Sequence, residues 1–207
     1  MQYIADGIML GLTLTILLGP IFIALTQTGI QHGIKAGMAV GSGIWVSDLL
    51  VIYSSYFFIL KISLIIQSPD FRFWMGISGG AILIGSGIIS FLKSHKGDDK
   101  TPAFDARSYL EYFSKGFAVN FFNPFTFIFW ISVMTSYVSG KGITGIQTII
   151  LFGSILFTII ITDSIKVVLA KAIRSKMKSY HLEIFGKIAG ILLIIFGIIL
   201  MIRSDVI

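Results

Sequence analysis

Two aspartates stand inside stretches that otherwise carry almost no charge. Asp48 is set among Trp45, Val46, Leu49 and Leu50, and Asp163 lies between Thr162 and Ser164, with Lys166 three residues on. A carboxylate in a run apolar enough to lie in lipid costs about 2.5–3.5 kcal/mol on insertion scales, so it faces a cavity or a partner. Asp48 is therefore a candidate to exchange a proton or to hold a substrate cation. A hydrogen bond to a neighbouring hydroxyl, or to an interrupted backbone, is the structural alternative. Asp163 and Lys166, at i and i+3, share one helix face. They fall in the cytoplasmic third of their run. There an ordinary ion pair near a helix end, with Lys166 snorkelling to the interface, competes with a functional pair.

Two dipeptides, Gly19-Pro20 and Asn123-Pro124, interrupt other apolar runs. Proline lacks the N–H and clashes with the carbonyl four residues back, and it pushes the preceding residue out of the helical region. In a membrane such a break survives only where protein or a water-filled cavity satisfies the freed backbone groups. A half-helix beginning at Pro20 or Pro124 would present free N–H groups and a positive dipole end to an anion. Asn120 and Asn123 bracket the second break. Either can cap the new helix or donate to a substrate carboxylate. Thr13, Thr15, Thr26, Gln27 and Thr28 flank the first break, and threonines there also bond back to their own helix.

The elements that must position these residues are membrane helices. The 207 residues are 55% hydrophobic and 13% charged, against about 25% charged in soluble domains, and mean hydropathy is +0.91. Six apolar runs reach spanning length, at about 8–30, 36–60, 71–92, 116–138, 144–170 and 182–202. Residues 93–115 are polar. Their second half mixes Tyr109, Leu110, Tyr112 and Phe113 with Arg107, Glu111 and Lys115, which suits a short interfacial helix. The first run lacks a basic leader and a small-residue cleavage site, so it reads as a span rather than a signal peptide.

The net charge of +6 has a topological explanation. Lys35, the 93–115 segment and the segment between the fifth and sixth runs, with Lys187 at the start of the sixth, hold eleven basic residues; the opposite side holds Lys61, Arg72, Lys141 and Arg203. The bias places the first group in the cytoplasm and both termini outside. A five-span alternative would reverse one terminus.

The two halves repeat. Gly76, Gly80, Gly87, Ile88 and Ile89 recur 110 positions later as Gly186, Gly190, Gly197, Ile198 and Ile199. The prolines sit in the first span of each half, and the aspartates fall in the second span of each. Three spans per half make the second copy enter from the opposite side, so the expectation is an all-α membrane fold of two inverted three-helix repeats. Its segments are 1–92, a cytoplasmic segment 93–115, and 116–207. Paired broken helices in such repeats mark a transporter binding site. The glycines themselves suit close helix packing, within the chain or between two copies in a homodimer.

Other chemistry finds little support. There is no cysteine, and His32, His95 and His181 are scattered in loops. No phosphate-binding, zinc-hydrolase or serine-hydrolase motif occurs, nor an aromatic-interleaved basic stripe for nucleic acid. No enzyme and no cofactor are expected.

Gly19-Pro20, with Gly33, Lys35, Gly37, Gly41, Gly43 and Asp48, resembles the opening of the lysine exporter (LysE/RhtB) family. Lys115-Gly116-Phe117 through Asn120 to Asn123-Pro124 is similar to its fourth-helix motif. The resemblance covers most of the chain. It implies export of amino acids or related small metabolites across a bacterial cytoplasmic membrane, by exchange with protons and without ATP. It carries over Gly19, Pro20, Asp48, Asn120, Asn123 and Pro124 as site positions; Asp163 and Lys166 come from the residues alone. The alternatives are a divalent-metal exporter, which needs several oxygen or nitrogen ligands, and a membrane scaffold that transports nothing.

Overall fold

The computed structural model describes residues 2–16, 20–93, 106–176 and 179–203, and every element among them is a helix. Gly19 and residues 94–105, including His95, lie outside that set. The helices are α1 (Gln2–Ile16), α2 (Pro20–His32), α3 (Ile34–Gln67), α4 (Pro69–Lys93), α5 (Ala106–Phe121), α6 (Pro124–Met134), α7 (Ile146–Lys176) and α8 (Ser179–Arg203). A π-helical turn, Thr135–Gly140, extends α6.

Proline decides three of the starts. Pro20, Pro69 and Pro124 each occupy the first helical position, where the missing N–H costs nothing and the fixed φ suits the helix. Between α2 and α3 the chain turns on Gly33 alone, at φ +86°, a conformation open to glycine at little cost.

Three helices carry stretches long and apolar enough to cross a membrane: Ile34–Phe57, Phe73–Leu92 and Ile146–Ala172. The pair α1/α2 is bent by 74° at its break and α5/α6 by 64°, which makes up to five crossings when each bent pair counts as one. The sixth expected span corresponds to α8. Its apolar stretch, Gly186–Ile202, is shorter, and Lys187 pairs with Glu183 near its start.

Backbones approach closely where glycine removes the side chain. A Cβ on Gly80 would stand 2.7 Å from the Gly197 carbonyl oxygen, and one on Gly197 would stand 2.7 Å from that of Gly80. Gly87 and Gly190 face each other in the same way, at 2.6 and 2.7 Å. These contacts seam α4 to α8. Gly7 and Gly11 seat α1 on α7, and Gly43 and Gly116 seat α3 on α5. Small-residue seams hold helices together where lipid supplies no hydrophobic drive between them. The outward faces carry Met9, Tyr53, Trp74, Phe157 and Ile202, all more than 60% exposed, as lipid-facing surfaces do.

One boundary differs from expectation. α5 runs unbroken through Lys115-Gly116, so the surface helix and the first part of the fourth run are one element. Tyr109, Phe113, Phe117 and Phe121 stack along it at successive turns. It packs extensively on α3, where Tyr109 shares a 3.0 Å hydrogen bond with Ser42. As a result the two breaks are closely matched. Half-helices of 15 and 16 residues precede them.

Candidate functional site

The helix breaks open a cavity of about 340 Å³. Pro20, Asp48, Asn120, Asn123, Asp163 and Lys166 all line it. Of the other expected site residues, Gly19 lies outside the described set. Pro124 is placed only as the first residue of α6.

Asp48 is 2% exposed and sits on the inner face of α3. Asn120 Nδ2 on α5 donates to its Oδ1 at 2.9 Å, and Trp130 Nε1 on α6 donates to the same oxygen at 2.8 Å. Its Oδ2 accepts nothing from the described residues. One carboxylate oxygen is thus anchored and the other is available to the cavity. Such bonds to a charged acceptor are shorter and about twice as strong as neutral ones.

Asn120 also ties the broken strand of backbone together. Its Nδ2 donates to the Ile44 carbonyl at 3.1 Å, and its Oδ1 accepts from Thr126 Oγ1, beyond the break, at 2.8 Å. Asn123 Oδ1 accepts from the Phe125 N–H at 3.1 Å, and the Asn123 carbonyl accepts from the Thr126 N–H at 3.0 Å. The α6 N-terminus therefore caps itself, contrary to the expectation of free N–H groups there. Of the Asn123 side chain, only Oδ1 is spent on its own helix; Nδ2, on a residue that lines the cavity, donates to none of the described residues.

Asp163 lies midway along α7, not near its end, because the helix continues to Lys176. Lys166 Nζ meets its Oδ1 at 3.0 Å, and Trp45 Nε1 on α3 donates to its Oδ2 at 3.2 Å. The lysine does not snorkel away: it stays beside the cavity, with Nζ 5.6 Å from the centre of the Phe22 ring. Close by, Thr15 on α1 shares a 2.9 Å hydrogen bond with Thr162 on α7.

Sequence reasoning missed Trp130, Trp45 and Thr126. A signal existed for the tryptophans. Both lie inside apolar runs rather than at the ends, where membrane tryptophans collect, and an indole N–H away from water needs an acceptor. His32 closes α2 with its ring 5.3 Å from that of Tyr112, and His181 falls in the first turn of α8. Neither is in a loop. Among the described residues, no group of three or more His, Cys, Asp or Glu could hold a metal ion.

Bent helix pairs, lipid-facing apolar surfaces and a cavity with buried charge at the breaks define a multi-pass membrane transporter. The chain belongs to the LysE type translocator family, whose profile matches residues 12–204. It is 26% identical over 199 residues to the "Putative amino acid efflux protein YcgF" of Bacillus subtilis (strain 168), covering 95% of this chain and 94% of that protein. No solved structure gives a significant match.

Proposed function

We propose that this protein exports amino acids across the bacterial cytoplasmic membrane in exchange for protons. The observation that carries the proposal is Asp48, with one oxygen fixed by Asn120 and Trp130 and the other open to the cavity. A single open carboxylate oxygen binds either a proton or a substrate ammonium, not both. That exclusion is the minimum requirement of an antiporter. Lys166, the cation that lines the cavity among the described residues, is the group for the substrate carboxylate. The family and the efflux relative support the substrate class.

Six spans in two inverted repeats would supply the movement. Reciprocal contacts support that arrangement. Gly80 meets Gly197 as Gly87 meets Gly190, and exchanging the halves maps one pair onto the other. The α3–α5 packing has its counterpart in α7–α1. Rocking of one half against the other about the α4–α8 seam would expose the cavity alternately to the two sides.

The test is amino-acid efflux from proteoliposomes under an imposed pH gradient. Wild-type protein should show gradient-driven flux, and Asp48→Asn should lose at least tenfold of it. Asp48→Asn working at the wild-type rate would remove Asp48 from the coupling mechanism.

A further inference from the structure

We infer that the cavity selects amino acids with an apolar side chain and rejects those with a basic one. The inference rests on the amino-acid reading above and narrows it. Among the described residues, the charged lining is confined to Asp48, Asp163 and Lys166. Both oxygens of Asp163 are engaged, by Lys166 and Trp45. Among the described residues that line the cavity, only Asp48 offers a free anionic oxygen, and the α-ammonium takes it.

The rest of the wall comes mainly from hydrocarbon. Ile21 on α2, Leu83 on α4 and Phe196, Ile199 and Leu200 on α8 line the cavity, and Leu83 and Phe196 belong to one packed apolar cluster. A second ammonium or a guanidinium on the substrate would be stripped of water against these groups with no partner, which is costly. An aliphatic or thioether side chain gains from the same surface, about 0.8 kcal/mol per buried CH₂, or roughly fourfold in affinity. The apolar wall therefore discriminates by hydrocarbon content, and the lone free carboxylate discriminates by charge.

Counterflow into proteoliposomes of the purified full chain, with radiolabelled alanine, leucine, methionine and lysine, tests this. Leucine and methionine should half-saturate at concentrations at least tenfold below alanine, and lysine should not exchange. Exchange of lysine without leucine, or equal half-saturation by alanine and leucine, would overturn the inference while leaving the exporter reading intact. Failure of all four, with a normal melting transition, would overturn that reading and this inference together. Phe196→Ala should weaken leucine by about tenfold and alanine by much less; an equal loss for both would show that Phe196 merely packs.

Discussion

At the residue scale, each membrane-embedded aspartate accepts an indole N–H from another helix: Asp48 from Trp130, and Asp163 from Trp45. The two differ in what else they hold. Asp163 has an internal cation in Lys166, whereas Asp48 has two neutral donors on one oxygen. On the proposed mechanism, Asp48 is the carboxylate left for an external cation. Hydrogen bonds to charged groups contribute about 1.5–3 kcal/mol, and losing one leaves the acceptor under-satisfied. Trp130→Phe leaves a smaller aromatic ring and removes the donor, so it should lower exchange by about tenfold while folded protein is still recovered. Trp74→Phe, at an indole 66% exposed near the start of α4, should change exchange less than twofold. Flux measured in the same vesicles decides; equal effects would show that the Trp130–Asp48 bond has no part in transport.

At the element scale, the helix starts were readable because proline acts locally: Pro20 and Pro124 mark the breaks whatever surrounds them. The lone carboxylate at Asp48 was readable for the same reason, since its cost does not depend on the fold. The length of α5 was not. Arg107, Glu111 and Lys115 make its first half look like a surface helix, but Lys115 turns inward and donates to Thr28 Oγ1 on α2 at 3.5 Å. The tryptophan–aspartate pairs were hidden because their partners are 82 and 118 residues apart, and nothing local records such a meeting. The close seams yield a prediction of their own. A Cβ at Gly116 would strike the Val40 carbonyl, and one at Gly43 the Phe113 carbonyl, both backbone atoms that cannot rotate away. Gly116→Ala or Gly43→Ala should separate α5 from α3 and cost about 1–3 kcal/mol, read as a lower melting temperature in detergent. Gly85→Ala and Gly153→Ala meet nothing within 4 Å and should hold or slightly raise it, by up to about 1 kcal/mol, because alanine is the better helix former. Melting temperatures that fail to separate the two pairs would show that these seams do not limit packing.

At the scale of the whole molecule, the question is whether the two halves are inverted. The α4–α8 seam is self-reciprocal, and each half-helix that precedes a break packs on the aspartate-bearing helix of the other half, α1 on α7 and α5 on α3. A two-fold axis lying in the membrane plane would produce both features. A parallel repeat, with its axis along the membrane normal, would place equivalent connections on the same side. Lys35, just after the α2–α3 turn, and Lys141, in the connection from α6 to α7, are such equivalents, and both are exposed. The chain has no cysteine, so a single introduced thiol reports its own side without background. In intact cells Lys141→Cys should react with a membrane-impermeant maleimide, and Lys35→Cys should react only after permeabilisation. Gln2→Cys should behave like Lys141→Cys, because the distribution of basic residues predicts the start of α1 outside. Labelling of positions 35 and 141 from the same side would rule out inversion. It would also leave the two broken helices without the opposed entry that lets one cavity serve both faces of the membrane.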